Sequence, residues 1–260
     1  MARGMAENTL PRQGSMFLFM DRPAPRHARP SGALTRLLAV AICCAAMLCA
    51  FQLYGRVYHR FDVRLPVRAV LQNPGLPNGC EATSLAALLR YKGVAANKLD
   101  LAYAYIPRED FRETAGGRTG PDPERAYAGD PSTGLGFYCF AAPLAQGANR
   151  YLQQQGSSFY AVDVTGVTAE GLKQYLCAGD PVVVWVTLDL SAPRTGSFTW
   201  VLADTGETYT PYANLHCVVL TGWGRGVCEI MDPLQGRRTV DQQAFIDSFE
   251  QMGSRALVIH

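Results

Sequence analysis

The chain lacks an excess of charge of either sign. Twenty-four Lys and Arg face 22 Asp and Glu, a formal net charge of +2. So even a balance supplies no general electrostatic footprint for nucleic acid. The early arginines Arg3, Arg12, Arg22, Arg26, Arg29 and Arg36 all precede the first apolar run, which argues further against a phosphate backbone as partner. The eight cysteines include no CxxC pair, and their wide spacing does not suit a compact zinc knuckle. No metal or other cofactor is expected. Internal repeats and low-complexity tracts are absent from residues 65–260. Histidine is scarce, with four in all: His27, His59, His216 and His260.

One long apolar run is present, Leu37–Phe51, extended past Gln52 to Tyr54 to make 18 positions. That is near the lower limit for a spanning helix, and its Arg-rich leading side fits a cytoplasmic N-terminus. The expected organisation is therefore a flexible basic leader at 1–36 and a single-pass signal anchor at 37–54. A connector at 55–64 and a folded domain outside the cell membrane at 65–260 complete it. A cleaved signal peptide and a buried helix are the alternatives to the anchor. The chain is long enough for one substantial core and short for two. Cys43, Cys44 and Cys49 belong to the apolar run, leaving Cys80, Cys139, Cys177, Cys217 and Cys228. In an exported domain two disulfides and one free thiol fit that number, with Cys80 the free one and Cys139–Cys177 a possible pair. Buried free thiols fit as well.

Along the domain, Leu65–Leu71 reads as a short edge strand and Asn73-Pro74-Gly75 as a turn. Asn78 has the character of an N-cap, with Glu81 three positions later as a capping-box partner. Ala82, Leu85, Leu88 and Leu89 follow as an apolar stripe, and Gly93 stops the helix. Pro107–Gly136 is rich in Gly, Pro, Arg and Asp and predicts a long loop over or beside a site. Residues 141–154 predict a helix broken near Gly147, and 169–178 a second one. Pro181–Leu188 is a continuous apolar run of the central-strand type. Leu215–Leu220 and Val227–Met231 predict two strands joined by residues 221–226. A helix over 241–251 and a strand over 256–259 close an α+β domain.

Three residue types then converge on one chemistry. With Asn78 as cap, Cys80 takes the second helical position, where free amides and the helix dipole favour a thiolate. The other histidines lie before the domain or at its last position, so His216 is almost forced as the base. A hairpin centred on Gly224 sets His216 opposite Asp232, on one face with Val218, Ile230, Leu220 and Cys228. Cys217 and Cys228 then fall on opposite faces and are not bonded to each other. Asp232 is placed to fix the imidazole tautomer. The Cys80 amide and the Gln72 side chain are candidate oxyanion donors. Taken singly, each of these residues has an ordinary structural reading: a buried cysteine, a semi-buried histidine, a strand-ending turn, a surface glutamine.

Gln72 followed by Pro77-Asn78-Gly79-Cys80-Glu81-Ala82-Thr83-Ser84 resembles the bacterial C39-like family of papain-fold cysteine peptidases. The likeness continues in Gly179–Thr187, Leu215–Trp223 and Ile230–Leu234. It implies a papain-like fold from about Leu65 onward, with Cys80 as nucleophile, His216 as base, Asp232 as its orienter and Gln72 in the oxyanion hole. A peptide or protein is the implied substrate. No GxxxxGK[ST] motif is present, so the leader-peptide cargo of the related exporter proteases does not carry over. A cell-wall amidase or transpeptidase would use the same residues, and a non-catalytic peptide-binding domain is the third reading.

Overall fold

The computed structural model describes residues 32–58 and 61–260. The chain divides into two units, Met1–Leu53 and Tyr54–His260. In the first, helix α1 (Gly32–Tyr58) begins within the expected leader, runs through the expected anchor and continues past the unit boundary. Leu37, Val40, Ile42 and Met47 are exposed on it. The expected membrane anchor at 37–54 is not supported: among the described residues, no helix is long and apolar enough to cross a membrane. The helix has 27 residues, but its unbroken apolar stretch is shorter. The uninterrupted apolar run ends at Phe51, so at ~1.5 Å per residue it reaches about 22 Å, short of a ~30 Å hydrocarbon core. The membrane partner inferred from that segment has no spanning helix behind it among the described residues.

The second unit is a mixed α+β fold around a seven-stranded sheet. Its strands are β1 (Phe61–Arg64), β2 (Ala161–Asp163), β3 (Val182–Thr187), β4 (Leu215–Gly224), β5 (Val227–Asp232), β6 (Gly236–Asp241) and β7 (Ala256–Ile259). They lie in the order β6-β5-β4-β3-β7-β2, with β1 added along the far half of β4, and all pairings are antiparallel. The longer helices are α2 (Cys80–Tyr91), α3 (Ala141–Gln154), α4 (Ala169–Cys177) and α5 (Gln242–Gln251).

A side-chain period of two divides the core cleanly. Val183, Trp185, Cys217, Val219, Met231, Leu257 and Ile259 pack on one face with Leu85 and Leu88 of α2 and Leu144 and Leu152 of α3. Val184, Val186, Val218, Leu220, Ile230 and Val258 pack on the other with Leu172 and Leu176 of α4 and Phe245 and Phe249 of α5. β3 is buried at all six positions, as a strand covered on both faces must be. Cys217 and Cys228 lie in the two different cores, as expected. Cys139 is buried while Cys177 is exposed, and both are free thiols, so the possible Cys139–Cys177 bridge is not formed.

Several local expectations are corrected. The strand ahead of α2 is Phe61–Arg64, and residues 65–70 are irregular. β4 extends four residues past the expected end because β1 pairs with Gly222, Trp223 and Gly224. Gly222 permits that approach: a Cβ there would lie 3.2 Å from the Val63 carbonyl oxygen. The turn is therefore only Arg225-Gly226, with Gly226 at φ +71. Helix α3 is unbroken at Gly147, whose missing side chain lets the helix pass Ile106; a Cβ would stand 2.8 Å from the Ile106 Cα.

Pro107–Gly136 is more than a loop. It contributes Arg112–Thr114 and Gly117–Gly120 to a four-stranded sheet with Trp200–Leu202 and Thr208–Tyr209. Phe111, Phe137, Phe198 and Trp200 form an aromatic cluster on it.

Candidate active site

Helix α2 positions Cys80. Its Ala- and Leu-rich sequence favours helix, and Cys80 through Leu89 are all buried. The helix starts one residue later than expected. Gly79 is the N-cap, no side chain caps it, and Cys80 is the first helical residue. Gly79 belongs there sterically, since a Cβ would stand 2.6 Å from the Leu76 Cβ. As the first residue, Cys80 keeps a backbone N–H outside the intrahelical ladder. Asn78 instead donates its side-chain amide to the Thr133 carbonyl at 2.7 Å, tying the loop that follows Pro131 to the helix entrance.

The expected capping box is therefore absent, and Glu81 has another position. It is fully buried. Its Oε1 accepts the Cys139 N–H at 3.3 Å, and the Cys80 thiol donates to its Oε2 at 3.4 Å. Burial pushes the Glu81 carboxyl up to about 8. The Cys80 thiol is held well above the ordinary range by burial first, then by the charge of Glu81 and the hydrogen bond to it.

His216 enters from β4, paired with Val186 of β3, and its ring is buried. Its Nε2 lies 2.8 Å from Asp232 Oδ1. The His216–Asp232 pairing expected from the hairpin is thus made, although by a different register. Val219 faces Met231 and Leu220 faces Ile230, two residues off the expected alignment. A shift of two preserves the face, whereas a shift of one would have separated the pair. Next to the turn the pairs Gly222–Glu229, Trp223–Cys228 and Gly224–Val227 are three off, and the irregularity between Leu220 and Gly222 brings the offset back to two.

Asp232 is held firmly. Its Oδ1 also accepts the Leu234 N–H at 2.8 Å, and Arg238 reaches Oδ2 at 3.3 Å. Burial opposes ionisation of this carboxyl, but His216, the Leu234 amide and Arg238 outweigh it and hold the pKa below the usual range. With the Nε2 proton directed to Asp232, Nδ1 is the ring nitrogen left with a free lone pair.

Gln72 is buried beside the same cavity. Its backbone N–H donates to Pro233 O at 2.8 Å, joining it to the turn after Asp232. Its side-chain Nε2 donates to Pro77 O, leaving one N–H on that nitrogen for another acceptor. Its Oε1 is the buried side-chain polar atom without a hydrogen-bond partner among the described residues.

A cavity of about 320 Å³ brings Gln72, Cys80 and His216 together, walled by Phe137, Tyr138, Leu188, Tyr212 and Leu234. Among the described residues no hydrogen bond joins Cys80 to His216; the sulfur is engaged with Glu81. Another depression, of about 560 Å³ and lined by Pro66, Arg68 and Arg90, contains none of these groups.

Residues that sequence reasoning missed hold this arrangement from a distance. The Lys98 ammonium donates to the carbonyls of Leu71, Gln72 and Pro74, at 2.7, 2.5 and 2.7 Å, and pins the loop carrying Gln72. Tyr127 donates its hydroxyl to Asn78 O at 2.6 Å and approaches Phe137 O at 3.1 Å. Tyr138 accepts the Tyr212 N–H at 2.9 Å, fixing two walls of the cavity to one another. Arg238 lies between the buried Gly236 and Val240, on the face of β6 that they share, but gives no local cue that its partner is Asp232.

Comparison with known proteins agrees with this architecture. Residues 64–257 match the model of the Peptidase_C39 like family. The uncharacterized protein YvpB of Bacillus subtilis (strain 168) is 32% identical over 201 residues, covering 75% of each chain. A crystal structure from Bacillus anthracis described as a C39-like peptidase is 33% identical and superposes with a TM-score of 0.66, over 76% of this chain and 96% of that one. On the extent of the family match and the identity to these relatives, the chain belongs to the Peptidase_C39 like family.

Proposed function

We propose that this protein is a thiol peptidase that cleaves peptide bonds through Cys80, His216 and Asp232. The observation that carries the reading is the His216–Asp232 hydrogen bond on the same cavity as a cysteine at a helix N-terminus. In the reactive arrangement the Cys80 side chain turns from Glu81 toward His216. Nδ1 takes the thiol proton and the sulfur attacks the substrate carbonyl carbon. The developing oxyanion is met by the Cys80 backbone N–H and the remaining Nε2–H of Gln72. The imidazolium, stabilised by Asp232, returns its proton to the leaving amine, and water then releases the acyl group from sulfur.

The test is hydrolysis of a pool of unstructured peptides followed by mass spectrometry. Cys80→Ala is expected to lower turnover by on the order of 10³-fold or more while keeping the wild-type melting transition. Cleavage by that variant at the wild-type rate would remove Cys80 from the chemistry.

A further inference from the structure

Glu81 is a buried carboxyl that the proposed reaction does not use. It sits one residue after the nucleophile, wholly inside the protein, with both oxygens directed to named groups: one to the Cys139 amide, one to the Cys80 thiol. The titratable groups facing it are Cys80 on its own helix, with Cys139, Cys217 and Tyr127 from the segments packed around it. No Lys, Arg or His among the described residues acts on its charge. A capping role is excluded by the geometry at the helix start, and an ion-pair role by the absence of a cation.

Direct contact with the sulfur remains. The Cys80 thiol points its proton at Glu81 Oε2, so the hydrogen bond stabilises S–H, and above about pH 8, where Glu81 ionises, its charge also opposes S⁻. His216 meanwhile has its Nε2 bound to Asp232 and makes no bond to the sulfur. Nucleophile and base are thus each satisfied separately, and the resting site contains a neutral thiol.

We propose that Glu81 is a positioning residue that holds Cys80 in a protonated, inward-turned resting form, so that the thiolate forms only when the sulfur turns toward His216. The proposal rests on the thiol-peptidase reading above and adds a latency step to it. During that step the proton stays on sulfur until Nδ1 of His216 accepts it, giving one thiolate and one imidazolium with no other reactant. Thiols at helix N-termini ordinarily have a depressed pKa; here burial first, and then the adjacent carboxyl, act in the opposite direction.

The experiment measures the rate of iodoacetamide alkylation at Cys80 in the full chain, by peptide mass spectrometry, between pH 5 and pH 10. In the wild-type protein the profile is expected to rise above the ordinary thiol pKa of ~8.5. Glu81→Gln keeps the side-chain shape but removes the charge. It is expected to move the profile down by about one pH unit, roughly a tenfold faster alkylation at pH 9, where the wild-type Glu81 is ionised, and little change at pH 7. A profile in Glu81→Gln that is unchanged or moved upward overturns the proposal. So does a wild-type profile centred below the ordinary thiol value, a result that needs no variant to fold. Peptide hydrolysis by wild-type and Cys80→Ala proteins is read in parallel. Loss of the peptidase reading would show there, and loss of the latency step only in the alkylation profile.

Discussion

At the scale of single residues, the chemistry of this site is set by which carboxyl is exposed to which charge. Asp232 and Glu81 are both buried, yet their acidities move in opposite directions. Asp232 has His216, an amide and Arg238 around it; Glu81 has thiols and one amide. The difference predicts unequal consequences of neutralising each. Asp232→Asn preserves the shape and a hydrogen bond to His216 but removes the charge that supports an imidazolium. Steady-state kinetics should show kcat lower by about 10²–10⁴-fold with KM changed little. A wild-type kcat in that variant would remove Asp232 from the reaction. That Cys80 and His216 would share a cavity, with Asp232 in reach of the ring, was legible in the sequence because histidine is rare and Cys80 follows a turn. Glu81 was misread because the capping pattern records spacing along the chain and is blind to burial. Lys98, Tyr127 and Arg238 gave no sequence signal, since each acts on a partner that only the folded chain brings near.

At the scale of elements, periodicity was the reliable guide and boundaries were not. The all-buried β3 and the helices α4 and α5 could be read from apolar spacing alone. The β4–β5 hairpin was placed correctly as a pair, but its register was off by two because the turn lies at Arg225-Gly226 and not on Gly224. An irregularity after Leu220, which leaves no mark in the sequence, takes back one residue of the offset. Its length was underestimated for a tertiary reason, the pairing of β1 with residues 222–224. Gly147 shows the same limit. In isolation a mid-helix glycine reads as a break, whereas here it is a contact, with its α-hydrogen facing Ile106. Gly147→Ala would improve helix propensity by ~1 kcal/mol if the helix stood alone. Packed, it forces backbone apart, and a net loss of about 1–3 kcal/mol is expected in urea unfolding. Gly134→Ala, where a Cβ would meet nothing within 4 Å, is the matched control and should stay within about 0.5 kcal/mol. Equal effects at the two positions would refute the packing account of Gly147.

At the scale of the whole molecule, these carboxyls give stability a specific dependence on pH. Asp232 and Glu229 have lowered folded pKa values; burial opposes both, but His216 and Arg238 prevail at the first, and Arg64 and Arg237 at the second. Their contribution is present above the unfolded carboxylate range and is lost as pH falls through and below about 4. Glu81 acts with the opposite sign. Its folded value of about 8 lies above its reference of 4.5, so between these limits the folded state binds more protons than the unfolded one. Stability must therefore fall as pH rises across that interval, by up to about 1.4 kcal/mol per pH unit for one group. The buried thiols Cys80, Cys139 and Cys217 are also raised, but their ordinary range begins higher, so of these four groups only Glu81 acts across pH 5–8. The wild-type protein is accordingly expected to be most stable near pH 5 and to lose stability toward pH 8 in urea unfolding. Glu81→Gln should flatten that decline and leave the acid limb in place. A wild-type protein with constant stability from pH 5 to 8, or a variant retaining the full slope, would mean that Glu81 is ionised in the folded state and that a counter-charge stands beside it.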